Sequence, residues 1–186
     1  MQLNKSQILK ICKLAWIAGE KILDIYSKEF QIFKKKDMSP VTLADLESEK
    51  IIIKGLNKIF KKPIIVSEET NNKNIDNIKN FWLVDPLDGT KEFIKKNDEF
   101  TVNIALIENQ NPVAGIVYAP ALNLMYTGQI DQGSKKNGTA IYNKSNRKNL
   151  VGADSRQNSS VLTKLFIKDK IIAEKTVGYT RFFFVK

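Results

Sequence analysis

The sequence contains no histidine and a single cysteine, Cys12, among its 186 residues. Without histidine there is no imidazole general base, no Ser-His-Asp triad and no histidine-ligated zinc. A single cysteine excludes an internal disulfide, and Cys12 lies in an amphipathic run where a small core residue is expected. The sequence has no apolar run of membrane-spanning length, and the N-terminus M-Q-L-N-K-S-Q has no signal-peptide character. A cytoplasmic protein is therefore expected, and its catalysis must use carboxylates, hydroxyls, lysines or metals.

The composition is that of a folded protein, with 42% apolar and 27% charged residues and a formal net charge of +10. The length fits one domain with a hydrophobic core. A positive charge of this size can indicate an anionic partner such as a phosphate ester, a nucleic acid or a membrane surface. Here the lysines are spread over the chain and form no dense block with interleaved aromatics. The pattern therefore argues against a nucleic acid polymer as partner.

Apolar spacing predicts a helix over residues 5–27 and a second helix near Thr42, where Thr42 and Asp45 have the spacing of a capping box. The apolar face predicted for the first helix comprises Ile8, Leu9, Cys12, Ala15, Trp16, Ile22, Leu23 and Tyr26. Short apolar runs then predict strands at P-I-I-V-S and F-W-L-V-D, a hairpin turning across residues 108–111, and loops around a strand at 139–142. A helix over residues 157–166 is expected between two further strands. This order favours an α+β fold with an antiparallel or mixed sheet.

Two of the predicted strands end in carboxylates, the first at Glu68 and Glu69 and the second at Asp85 and Asp88. If the strands are neighbours, these side chains meet at one edge of the sheet, where their mutual repulsion calls for a cation. Oxygen ligands select Mg²⁺, Ca²⁺ or Mn²⁺. An isolated S-E-E pair or D-x-x-D turn is more often a solvated surface feature. Their combination after two buried strands favours a metal site.

The turn D-P-L-D-G-T has residues suited to such a site. Pro86 fixes one backbone angle and removes an N–H, so the chain is expected to leave the strand sharply and turn the Leu87 carbonyl inward. Gly89 permits a positive φ and close approach of the backbone to an anion. Thr90 offers a hydroxyl that can orient a water molecule. A helix opening after Gly89 would direct its N–H groups at a phosphate.

These residues resemble a known family. V-S-E-E followed by W-L-V-D-P-L-D-G-T-K-E-F-I resembles the inositol-monophosphatase superfamily of Mg²⁺-dependent, lithium-sensitive phosphatases. Within it, S-P-V-T-L-A-D, E-F-T-V-N-I-A-L-I and G-I-V-Y-A-P are similar to the CysQ-type 3'(2'),5'-bisphosphate nucleotidases, whereas inositol monophosphatases more often carry D-G-T-T-N-F. The resemblance implies a layered α/β sandwich, represented mainly by its N-terminal half of helices and antiparallel sheet, with the C-terminal layer incomplete. Residues 1–186 would then form a single, partial domain.

The resemblance also implies a metal site. Glu68, Asp85 and the Leu87 carbonyl would hold a first Mg²⁺, and Asp85 would bridge to a second Mg²⁺ that Asp88 helps to hold.

By the same resemblance, Thr90 and Asp45 orient and deprotonate the attacking water, and Glu68 assists them. The positions implied to bind the substrate and its phosphate are Glu68, Leu87, Asp88, Gly89 and Thr90.

The implied reaction converts adenosine 3',5'-bisphosphate and water to AMP and phosphate. The alternatives are an inositol-phosphate or sugar-phosphate phosphatase of the same superfamily, or an inactive fragment. Family members continue with G-S-S-L-K-F and a W-D motif whose aspartate completes the second metal site, and this chain contains neither. Residues 179–186 instead resemble a frameshifted or truncated end, with an ordinary terminal strand as the alternative reading. A homodimer and peripheral contact with the inner face of the membrane are further expectations.

Overall fold

The structure is a computed structural model of the chain. It describes residues 2–34, 40–69 and 78–142, and the backbone of two strands at 151–155 and 173–177. The predicted helix over residues 157–166 and the unusual end at 179–186 lie outside the described residues. The chain divides into two compact units, residues 1–141 and 142–186. The assignment of 1–186 to a single partial domain stays a prediction.

The two long helices of the first unit begin where the sequence provides caps. Helix α1 spans Lys5–Tyr26, and Asn4 caps it with a side-chain oxygen that accepts the Gln7 N–H at 2.9 Å. Helix α2 spans Leu43–Ile59 and begins with the predicted capping box of Thr42 and Asp45. A short helix α3 spans Thr90–Ile94, and a 3₁₀ turn spans Pro120–Leu122. The predictions for α1 and α2 are confirmed.

The strands of the first unit are three to nine residues long, and two of them pair with each other outside the main sheet. The strands are β1 Ile32–Lys34, β2 Pro40–Thr42, β3 Ile65–Ser67, β4 Asn80–Asp88, β5 Thr101–Glu108, β6 Asn111–Ala119, β7 Leu124–Gln129, β8 Gly133–Lys136 and β9 Thr139–Ile141. Strands β1 and β2 pair with each other, and the other seven form one sheet in the order β3-β4-β5-β6-β7-β8-β9. The β8 segment was expected to be a loop.

The sheet is mixed, because β3 runs parallel to β4 and the later strands follow one another as antiparallel neighbours. The hairpin between β5 and β6 turns at Asn109 and Gln110, which have φ of 47° and 64°. A pair of positive φ angles matches the twist of the flanking strands. The hairpin predicted across residues 108–111 is confirmed.

One face of the sheet packs against α1 and α2 to form the core. The core includes Trp82 and Val84 of β4 together with Ile104 of β5, and two aromatic side chains, Phe93 and Phe100, close it near α3. The two rings meet edge to face with their centroids 5.2 Å apart. This packing anchors the segment that follows Gly89 directly to the core.

The face that α1 buries differs from the predicted one at Leu9 and Trp16. The other predicted residues are buried or packed against the core: Ile8, Cys12, Ala15, Ile22, Leu23 and Tyr26. Leu9 and Trp16 are 59% and 46% exposed. The helix residues that are buried are Ile11, Leu14, Ala15, Ala18, Gly19, Ile22 and Ile25. Small residues of this face let the helix approach its neighbours: a Cβ on Gly19 would lie 2.5 Å from the Tyr118 ring. Cys12 is half-buried, and burial raises the pKa of its thiol.

The second unit contains β10 Val151–Ser155 and β11 Ala173–Val177, which pair in parallel. In the described part of the chain, no helix is long and apolar enough to cross a membrane.

Candidate functional site

The parallel pairing of β3 and β4 brings the two acidic segments together. Ser67 pairs with Val84, and the next residue, Glu68, donates its backbone N–H to the Val84 carbonyl at 3.1 Å. Glu68 therefore follows the end of β3 at the point where β4 continues from Val84 to Asp85. Glu68 is exposed and Asp85 is buried, with 7% of its surface exposed. The expectation that the two strands are neighbours is confirmed.

The segment after Asp85 does not leave the strand as expected. Strand β4 continues to Asp88, and its register with β5 shifts between Asp85 and Asp88. A proline cannot donate to a ladder, so an irregular stretch of this kind accommodates Pro86. The Pro86 carbonyl is satisfied from the helix side by the Ser48 hydroxyl, which donates to it at 2.8 Å. The expected sharp exit at Pro86 is therefore wrong, and the irregular stretch places both aspartates along one strand.

Asp45 and Thr90 form a direct hydrogen bond. The Thr90 hydroxyl lies 3.0 Å from Asp45 Oδ1 and 3.2 Å from the Leu87 carbonyl oxygen, so its one hydrogen has two acceptors. The other Asp45 oxygen, Oδ2, accepts the Thr42 N–H at 2.8 Å and the Thr42 hydroxyl at 2.6 Å. The capping box of α2 thus fixes the carboxylate that faces Thr90.

Burial dominates the electrostatics of Asp45. The residue is fully buried, and desolvation raises the pKa of its carboxyl above the ordinary value, although hydrogen bonds from Thr42 and Thr90 act in the opposite direction. Burial in a low dielectric disfavours the charged form of an acid. Asp45 is therefore a stronger proton acceptor than a solvated aspartate.

Gly89 connects β4 to α3 in a left-handed conformation, with φ of 92°. Its carbonyl accepts the N–H groups of Glu92 and Phe93, both at 2.9 Å. A Cβ at this position would lie 2.7 Å from the Glu99 carbonyl oxygen, a backbone atom that cannot rotate away. The position therefore requires glycine both for its backbone angle and for the close approach of residues 99 and 100.

Replacing Gly89 with alanine is expected to destabilise the chain by about 2–4 kcal/mol, as the sum of left-handed strain and steric overlap. Gly133→Ala is the matched control, since Gly133 also has a positive φ, of 72°, but its Cβ would meet nothing within 4 Å. Thermal unfolding of both variants measures the difference. A melting temperature for Gly89→Ala no lower than that of Gly133→Ala would contradict the close contact with Glu99.

The sequence did not point to Ser48 or Asn103, both of which contact the site. Asn103 pairs with Asp85 across β4 and β5, and its Nδ2 donates to Asp88 Oδ2 at 3.2 Å. A signal was present: an asparagine in the interior of the apolar strand F-T-V-N-I-A-L-I is unusual, because strands disfavour asparagine.

Three buried side-chain oxygens at this edge have no hydrogen-bond partner within the described ranges: Ser67 Oγ, Thr101 Oγ1 and Asn103 Oδ1. They belong to the residues that pair with Val84, Asp88 and Asp85. Buried polar atoms of this kind call for a water molecule or an ion. The nearby donors are carboxylate and carbonyl oxygens, which are the ligands that Mg²⁺ prefers. The residues present therefore fit a hydrated divalent cation.

The predicted metal ligands share one sheet edge without forming a closed cage. Across residues 2–34, 40–69 and 78–142, no three His, Cys, Asp or Glu side chains are grouped closely enough to hold a metal ion. Carboxylates repel one another in the absence of a cation, so a preformed cluster is not required by the chemistry. The ligand set of Glu68, Asp85, Leu87 and Asp88 stays a prediction.

Comparison with known proteins identifies the family of this site. Residues 4–180 match the model of the inositol monophosphatase family. The chain belongs to this family. Its relatives include the 3'(2'),5'-bisphosphate nucleotidase CysQ of Escherichia coli K12, which is 44% identical over 122 residues, 63% of this chain and 50% of that protein.

Solved structures confirm the fold predicted from the sequence. CysQ from Bacteroides thetaiotaomicron superimposes with a TM-score of 0.73 at 31% identity, covering 92% of this chain and 72% of that protein. The extragenic suppressor protein SuhB from Bartonella henselae gives a TM-score of 0.80 at 26% identity, covering 94% and 71%. The chain spans about half the length of the curated relatives it matches.

Proposed function

We propose that this chain is a Mg²⁺-dependent phosphomonoesterase that hydrolyses the 3'-phosphate of adenosine 3',5'-bisphosphate to give AMP and phosphate. Its similarity to CysQ proteins in both sequence and fold supports this substrate class. The observation that carries the proposal is the 3.0 Å hydrogen bond from the Thr90 hydroxyl to the buried Asp45, at the edge where Glu68 and Asp85 also lie.

The Asp45–Thr90 pair provides a route for the proton of an attacking water. Thr90 donates its hydrogen to Asp45 Oδ1, which leaves the lone pairs of the Thr90 oxygen to accept a hydrogen from the water. As the water attacks, its proton passes to Thr90 and the Thr90 proton passes to Asp45. The raised pKa of Asp45 favours this transfer, since a general base works best when its pKa approaches the working pH.

The carboxylates of Glu68, Asp85 and Asp88 and the carbonyl of Leu87 would hold the metal. When bound, Mg²⁺ supplies charge that lowers the pKa of a bound water and neutralises the leaving oxygen. The Leu87 carbonyl has two lone pairs, so its 3.2 Å contact with Thr90 leaves one pair for a ligand. Through that contact, Leu87 would link the metal ligands to the proton route.

The substrate preference is tested by offering adenosine 3',5'-bisphosphate and inositol 1-phosphate to the purified chain at equal concentration with MgCl₂. Phosphate release is expected to be faster from the nucleotide, because the K-E-F-I sequence after the turn and the F-T-V-N-I-A-L segment resemble those of the nucleotidases. The Asp85→Asn chain, purified in the same way, controls for contaminating phosphatases. A clear preference for the inositol ester would overturn the proposed substrate.

Small phosphate esters are the only class of substrate that we propose. The cytoplasmic location, the peripheral membrane contact, the homodimer and the number of bound metal ions stay predictions.

A further inference from the structure

Asn103 lies between the two aspartates of β4. Its backbone pairs with that of Asp85, and its side-chain amide reaches Asp88 with an Nδ2 to Oδ2 distance of 3.2 Å. Paired residues on neighbouring strands project from the same face of a sheet, so Asn103 and Asp85 lie side by side. One residue of β5 thereby meets β4 on both sides of the register shift, through its backbone at Asp85 and through its side chain at Asp88.

The chemistry of the bond fixes the orientation of the amide. An ionised carboxylate can only accept hydrogen bonds, so the group that faces Asp88 must be the NH₂ group and not the carbonyl. The amide oxygen, Oδ1, then points away from Asp88. This oxygen is buried and has no hydrogen-bond partner in the part of the chain that the structure describes.

We infer that Asn103 is a positioning residue for the cation site, holding Asp88 through its NH₂ group and accepting a hydrogen bond from a water of hydration through its Oδ1. A neutral donor suits this position, because it orients a carboxylate without neutralising the charge that attracts the cation. Mg²⁺ in proteins keeps several of its waters, which supply the donor that Oδ1 lacks. The inference rests on the proposed function, since it requires a divalent cation at Asp85 and Asp88.

The decisive comparison is between the wild-type chain and Asn103→Ala, titrated with MgCl₂ by isothermal calorimetry. Removing a residue that orients a metal ligand lowers metal affinity by about 10–100-fold, so the Kd for Mg²⁺ is expected to rise by that factor. Asn80→Ala is the matched control, because Asn80 is exposed at the opposite end of β4. Its Kd for Mg²⁺ is expected to equal that of the wild type.

A purely structural role for Asn103 would give a different result. In that case Asn103→Ala would lower the metal-free melting temperature and leave the Kd for Mg²⁺ unchanged, which would overturn the inference. If the wild-type chain itself binds no Mg²⁺, the proposed function fails and this inference fails with it. If the wild type binds and Asn103→Ala binds equally well, the inference alone fails.

A second measurement tests the role of Asn103 at the cation site even if Asn103→Ala does not fold. In the wild-type chain labelled with ¹⁵N, the side-chain NH₂ signals of Asn103 are expected to shift on addition of MgCl₂. The corresponding signals of Asn80 are expected to stay in place. Asn103 signals that do not move at saturating MgCl₂ would overturn the inference.

Discussion

Replacing Asp85 with asparagine is expected to reduce phosphate release by about a thousandfold or more and to leave the chain folded. Charge stabilisation by a bound metal is worth several kcal/mol, and each 1.36 kcal/mol corresponds to a tenfold change in rate. Asp85 is buried on β4, the strand that lies between β3, which ends just before Glu68, and β5, where Asn103 pairs with Asp85. In the predicted ligand set it is the carboxylate that bridges the two metal ions. Asparagine has nearly the same shape, but it replaces one carboxylate oxygen with an NH₂ group and so removes the charge. In the metal-free chain the loss of that charge relieves repulsion among the carboxylates.

Phosphate release and thermal unfolding, measured on the same preparations, separate these two expectations. Asp131→Asn is the matched control: Asp131 is exposed in the turn between β7 and β8, and its φ of 63° is one that asparagine tolerates. Its activity should equal that of the wild type. An Asp85→Asn chain that keeps most of its turnover would contradict the prediction that Asp85 is a metal ligand.

Replacing Thr90 with valine is expected to lower kcat by about 10²–10⁴-fold, the range in which positioned proton transfer contributes to catalysis. Valine has nearly the same shape but cannot donate to Asp45 Oδ1 or accept a hydrogen from water. Thr90→Ser keeps the hydroxyl and is expected to restore most of the lost rate. Mg²⁺ binding measured by calorimetry should survive in both variants, because Thr90 acts on the water and not as a predicted metal ligand.

The control for this series is Thr139→Val, since Thr139 is exposed on β9, a strand well removed in sequence from the site. Its kcat should match that of the wild type. If the kcat of Thr90→Ser is no higher than that of Thr90→Val, the Thr90 hydroxyl does not take part in proton transfer. The proposed proton route through Asp45 would then be wrong.

The sequence predicted the main elements of the site because each leaves a local signal. The capping box of Thr42 and Asp45, the apolar runs of β3 and β4, and the glycine after Asp88 all act over a few residues. A resemblance to one family then indicated which of these residues share a function. The sequence could not predict that β3 and β4 are neighbours, because the pairing of strands depends on the whole sheet. Their pairing was therefore an assumption of the predicted metal site.

The features that sequence reasoning missed depend on contacts between distant residues. The hydroxyl of Ser48 reaches the Pro86 carbonyl across 38 positions of the chain, and this bond supports an irregular strand where a sharp turn was expected. The burial of α1 was also misjudged, because Leu9 and Trp16 fit the helical periodicity while Ala18 and Gly19 are the residues that allow close packing. Asn103 gave a signal in its unusual residue type, but its bond to Asp88 required the register of β4 and β5.

The most direct test of the proposed function is phosphate release from adenosine 3',5'-bisphosphate, measured as the concentration of MgCl₂ is raised in a chain first treated with EDTA. The proposed function predicts no release without the metal and a saturable rise with it. Release that continues unchanged in EDTA, or no release from a folded chain at saturating MgCl₂, would contradict it.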